Sequence, residues 1–100
     1  MNNPVQLQIH APQTRVNELT DALLCYPPGL VFSTQLLRDY HLDPQALSAK
    51  EQVLGYQNMQ LYIIQLEQEA VQPLLDYLAD HLPHSQLRYH VLPVLQHGVI

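Results

Sequence analysis

The chain has 100 residues, enough for one compact domain, and 47% of them are hydrophobic, which argues against disorder. Only 13% are charged, about half the ~25% usual for soluble domains. Four basic against nine acidic residues give −5, which argues against a nucleic-acid backbone or an anionic membrane as partner. Thirteen Gln and six His stand in for charge, a composition suited to a surface that continues into another subunit. No stretch approaches the ~20 apolar residues of a membrane span. Met1-Asn2-Asn3-Pro4 lacks the basic and apolar regions of a signal peptide, and the single Cys25 fits a reducing cytoplasm.

Val5, Leu7 and Ile9 alternate with Gln6, Gln8 and His10, the period of a strand with one apolar face. Pro12 is tolerated at a helix start, and Val16, Leu19, Leu23 and Tyr26 then form one apolar stripe. The spacing predicts a helix of about 14 residues, long enough to match a six-residue strand. Pro27-Pro28-Gly29 ends it, because proline cannot continue a helix. Residues 30–40 read as a second strand of weaker alternation. Residues 41–53 form a long connection in which Asp43-Pro44 signals a turn and Ser48 with Glu51 can cap one short helical turn. Gly55 marks the return, and residues 58–67 make a strand apolar at both parities in its centre. Val71, Leu74, Leu75, Leu78 and Leu82 stripe a second long helix, with Pro73 in or near its first turn. Leu87, Tyr89 and Val91 alternate in a last strand, which Pro93 ends or confines to an edge.

The order β-α-β-β-α-β is the split ferredoxin-like arrangement, an α+β sandwich of a four-stranded antiparallel sheet with two helices on one face. The other face then carries Gln6, Gln8, His10 and either Arg88 or His90, of which His90 is taken as the contact residue, and the pattern of the third strand assigns Tyr62 and Ile64 to it as well. Such a face is too apolar for water and too polar for a core, so these six residues are expected to meet other subunits.

Candidate chemistry is sparse. Residues 10–13, His-Ala-Pro-Gln, follow the first strand without the glycine and arginine of a phosphate cradle or the paired cysteines of a soft-metal carrier. His81 and His84 at i, i+3 are either polar residues at a helix end or, with His90, part of a copper or zinc site. A trimer can also gather three copies of one histidine near its axis. Cys25 lies at a helix C-terminal end, away from the dipole end that activates a thiol. Asp76 and Asp80 read as a solvated face. No nucleophile, base and orienting group assemble from the spacing, so the expectation is not an enzyme.

The element order, the long excursion between strands two and three, the segment Leu47-Ser-Ala-Lys-Glu-Gln-Val-Leu-Gly-Tyr-Gln57 and the ending Tyr89-His-Val-Leu-Pro-Val-Leu-Gln-His-Gly98 together carry a likeness. Over nearly its full length the chain resembles the PII-like (nitrogen regulatory protein-like) superfamily, as an uncharacterised subgroup, with CutA-like proteins as neighbours. The resemblance implies a homotrimer and a partner-contacting T-loop at about 41–53, with His41, Asp43, Lys50, Glu51, Gln52 and Gly55 as its candidate residues. It also implies a signalling role toward another protein, a membrane transporter among the candidates. The CutA-like alternative implies a metal-binding trimer linked to divalent heavy-metal tolerance. PII proteins hold nucleotide phosphates on a loop after their second helix. Leu82-Pro83-His84-Ser85-Gln86 stands there without glycine or lysine, which argues against ATP.

Overall fold

In the computed structural model, residues 3–27, 29–40, 43, 45 and 47–100 are described. Alternation at one end of the chain builds β1 (Pro4–Pro12), in which Val5, Leu7, Ile9 and Ala11 are buried and Gln6, Gln8 and His10 are half-buried. A tight 3-10 turn, Gln13–Arg15, leads into α1 (Val16–Leu24), which buries Leu19, Ala22 and Leu23. The α-helical part is therefore shorter than the predicted 14 residues. Pro12 holds an extended backbone at the entrance, and the first turn winds as 3-10 rather than α. Nine residues rise only about 13 Å, so α1 covers part of β1 rather than all of it.

The chain continues through β2 (Phe32–Tyr40), α2 (Ala49–Leu54), β3 (Tyr56–Glu67), a 3-10 turn at Gln68–Ala70, α3 (Val71–His81) and β4 (Arg88–Pro93). The sheet order is β2-β3-β1-β4, with every neighbouring pair antiparallel. β1 and β3 are thus central, and β4, with Pro93 at its end, is an edge strand, where proline's missing donor is harmless. This is the α+β, ferredoxin-like plan, with α1 and α3 on one face of a four-stranded antiparallel sheet.

The core lies between that face and the two helices: Leu7, Ile9, Tyr62 and Ile64 from the sheet meet Leu19, Leu23, Leu74 and Leu78. Two tyrosines tie the layers together. The Tyr62 hydroxyl donates to Val16 O at 3.0 Å and lies 2.7 Å from Thr20 Oγ1, which then acts as donor to it. The Tyr77 hydroxyl donates to Ala22 O at 2.8 Å and links α3 to α1, with the Tyr26 ring 4.7 Å from that of Tyr77. Buried hydroxyls need such partners, and each bond contributes about 1 kcal/mol net.

The register corrects one expectation. Ile9 pairs with Tyr62 and Leu7 with Ile64, and directly opposed residues share a face. Tyr62 and Ile64 are fully buried under the helices and do not lie on the open face. The open face of β3 consists of Gln57, Met59, Leu61, Ile63, Gln65 and Glu67, of which the last five lie opposite Pro12, His10, Gln8, Gln6 and Pro4.

Candidate functional site

The face that α1 and α3 leave open draws residues from all four strands. Ser33, Gln35, Leu37 and Asp39 come from β2, and Leu92, His90 and Arg88 from β4, by pairing with the open positions of β3 and β1. Leu61 and Met59 are buried on this face although they stand outside the helix-packed core.

A polar chain crosses it. Gln8 Nε2 donates to Gln6 Oε1 at 2.6 Å, and Gln8 Oε1 meets His90 Nε2 at 2.8 Å, so His90 is protonated at Nε2 if it serves as that donor. The His90 and His10 rings lie 5.6 Å apart, as expected for neighbouring positions on the first and last strands. His10 Nδ1 is 3.9 Å from Asp39 Oδ2, beyond hydrogen-bond reach, and is a buried atom with no partner. Arg88 donates to the same Asp39 oxygen at 2.7 Å. Burial first, and then the Arg88 guanidinium, hold the His10 imidazole below its ordinary 6.5, while Asp39 pulls the other way. Arg88 and Asp39 offset each other, and the other carboxylate at an open-face position of these strands is Glu67, opposite Pro4 at the end of β3.

Gln6, Gln8, His10 and His90 therefore come together as the alternation predicts. Asp39 escaped the sequence reading because β2 alternates weakly. Its signal was present: counting in twos from Ser33 and Gln35 puts it on the open face, where it meets a basic residue of β4.

The connection between β2 and β3 stands apart from this face. Ser48 Oγ accepts from Glu51 N at 3.2 Å while Ser48 N donates to the Glu51 carboxylate at 2.9 Å, the reciprocal cap predicted from spacing. α2 buries none of its residues, and Val53 is 87% exposed. Gly55, at φ 81°, closes the helix and turns the chain into β3, a backbone conformation that suits glycine. Asp43 accepts from Gln45 N at 3.0 Å, Gln52 Nε2 donates to Leu47 O at 3.3 Å, and Lys50 lies exposed on α2. His41 lies outside the described residues.

The remaining histidine expectation is corrected. α3 ends at His81, whose Nδ1 lies 2.9 Å from Tyr77 O and whose ring stacks 4.0 Å from that of Tyr77. The following turn places His84 at φ 61°, and His90 sits on the sheet. Pro83 cannot continue the helix, so the i, i+3 geometry that would join His81 to His84 is lost. Among the described residues no three His, Cys, Asp or Glu side chains gather as a metal-holding group. Likewise, among these residues no helix is long and apolar enough to cross a membrane.

Residues 1–100 match the family described as "Protein of unknown function (DUF3240)". The chain belongs to this family. A search of curated proteins found no match. Among solved structures the chain is similar to a DUF3240 family protein from Shewanella baltica OS155, at 20% identity and a TM-score of 0.76, over 100% of this chain and 99% of that one. It is also similar to Arabidopsis thaliana PII bound to citrate, at 11% identity and a TM-score of 0.64, over 93% of this chain and 78% of that one. CutA from Synechococcus elongatus PCC7942 aligns at 11% identity and a TM-score of 0.58, over 94% of this chain and 79% of that one. At these identities the likeness is one of fold, and the fold of this DUF3240 chain is PII-like.

Proposed function

We propose that the chain is a non-enzymatic regulatory module of the cytoplasm that works as a homotrimer on the PII-like plan, with the connection at about 41–53 contacting a protein partner. The observation that carries this reading is the open sheet face. It joins Leu61, Ile63, Met59 and Leu92 to a polar chain in which Arg88 and Asp39 offset each other, and helices leave it uncovered. A surface of that composition gains by meeting copies of itself, since apolar area is removed from water and few formal charges need be desolvated. The projecting α2, with Val53 and Leu54 outward and its own cap to hold it, supplies a contact element that assembly does not consume.

Light scattering tests the reading. The expected mass is about three times the 11.5 kDa of one chain, and Ile63→Asp lowers it to that of one chain with the helical signal unchanged. A single-chain mass for the unaltered protein rejects the assembly.

The paired imidazoles of His10 and His90 favour a second reading, a CutA-like trimer that binds copper or zinc on this face. Calorimetry with either ion near neutral pH is then expected to give saturable heat that His90→Ala removes. Absence of heat rejects the metal reading alone.

A further inference from the structure

β3 outruns β1. Their last pair is Pro12 with Met59, yet β2 and β3 go on pairing through Arg38 with Asn58, Asp39 with Gln57 and Tyr40 with Tyr56. The sheet therefore ends as a ribbon of two strands, a form that is marginal in water by itself. Cross-strand side chains hold this one. The Tyr40 and Tyr56 rings lie 5.5 Å apart, and the Arg38 guanidinium carbon is 4.7 Å from the Tyr56 ring centre.

These groups lie on the helix side of the sheet. Thr34 pairs with the buried Tyr62, and the same parity continues along β2 through Leu36, Arg38 and Tyr40. The helices leave them uncovered: Leu36 is 63% exposed, Tyr40 is 55% exposed, and Arg38 is exposed as well. Val53 and Leu54 add apolar surface from α2, which joins β3 through Gly55 alone.

The charges of this end are unbalanced. Of the four cations in the chain, Arg15 is held by Glu18 and Arg88 by Asp39. The other two, Arg38 and Lys50, meet no carboxylate among the described residues, and both belong to the β2–β3 end. The acids nearest in sequence are engaged. Asp39 takes the opposite side of β2 with Arg88, Asp43 accepts from Gln45 N, and the Glu51 carboxylate accepts from Ser48 N. Tyr56 fixes the place of the Arg38 guanidinium, whose planar set of N–H donors suits a carboxylate taken in bidentate fashion.

We infer that this ribbon end docks an acidic, apolar peptide segment of the partner protein. A carboxylate of the segment meets Arg38, apolar side chains two residues to either side lie on Leu36 and Tyr40, and a further carboxylate reaches Lys50. Alternate residues of an extended segment recur every ~7 Å, the same spacing as Leu36, Arg38 and Tyr40 on β2. Tyrosine and arginine are also the residue types on which binding energy concentrates. The inference rests on the partner reading above and gives that partner its chemistry.

Fluorescence anisotropy with the full chain tests it. The probe is a labelled peptide of two Leu-Ser-Glu-Ser-Tyr-Glu repeats, beside a twin with Gln in place of every Glu. Saturable binding of the acidic peptide is expected, with the twin about tenfold weaker. Arg38→Gln should weaken the acidic peptide about tenfold and Lys50→Gln by less, with the strand and helix signals unchanged. Arg15→Gln alters the net charge equally and is expected to leave binding as it was.

Equal binding of the twin, or no binding of either peptide, overturns the inference and leaves the partner reading standing. The same holds if Lys50→Gln and Val53→Ser abolish binding while Arg38→Gln does not. Sensitivity to Arg38→Gln alone upholds the ribbon surface and removes the connection at 41–53 from the partner reading. A labelled uridine oligonucleotide bound as tightly as the acidic peptide overturns the inference. So does a fall in mass by light scattering in Arg38→Gln, which gives the surface to a second copy of the chain.

Discussion

On the helix-covered face of the sheet, the Tyr62 hydroxyl reaches two partners on α1, while on the open face His10 Nδ1 is buried and reaches none. Both groups come from central strands of one sheet, and both are screened from water. The covered face was completed within the chain, because α1 brings Thr20 and the Val16 carbonyl to the phenol. The open face is held by its own side chains, from Gln6 through Gln8 and His90 toward Arg88 and Asp39, and His10 Nδ1 and Glu67 Oε2 are left over. A group left unpaired under partial burial is the mark of a surface that folding alone does not finish.

The contrast can be broken at its packing first. Ile64→Ala, under the helices, is expected to cost about 2–5 kcal/mol in urea unfolding, and Gln8→Ala on the open face under about 1 kcal/mol, if unfolding is followed at a concentration where copies are apart. Equal losses would erase the distinction between the faces. Tyr62→Phe sharpens the comparison on the covered side. It keeps the ring but strips Val16 O and Thr20 of their shared partner, for an expected loss of about 1–2 kcal/mol with an unchanged unfolding slope.

The smallest effect is a pH dependence on the open side. His10 takes up its proton at a lower pH when folded than the 6.5 of the unfolded chain, because burial and Arg88 both disfavour the cation. Between those two values the unfolded chain holds more protons, so stability falls as pH drops from 6.5 toward the folded value and is unaffected by this group above it. Denaturation midpoints from about pH 7.5 to about pH 5 should show that slope, and His10→Asn should flatten it. An unchanged slope in the variant would move its origin to another group.

Features that rest on neighbours in the chain were legible in advance. The alternation of β1, the stripes of α1 and α3, the Ser48–Glu51 cap, and the edge position given by Pro93 each depend on residues a few positions apart, where sterics and local hydrogen bonds dominate. The face of Tyr62 was not legible. Leu61, Tyr62, Ile63 and Ile64 are apolar at both parities, so β3 carries no internal sign of which side it buries, and only its register with β1 decides. The candidate site divides in the same way. Gln6, Gln8, His10 and His90 could be assigned to one face by counting, whereas the Asp39–Arg88 pair joins residues 49 apart on the two edge strands.

The low charge of the chain, read from composition, already pointed to a surface short of solubilising groups. It could not say where. The strand order β2-β3-β1-β4 gathers the neutral polar residues and Leu61, Ile63 and Leu92 onto one face and sets α3 too far inward to cover β4. Periodicity determines which residues of an element share a side, because backbone geometry repeats within the element. Which sides are covered, and which are left open, depends on how distant elements stack, and only the tertiary structure decides that.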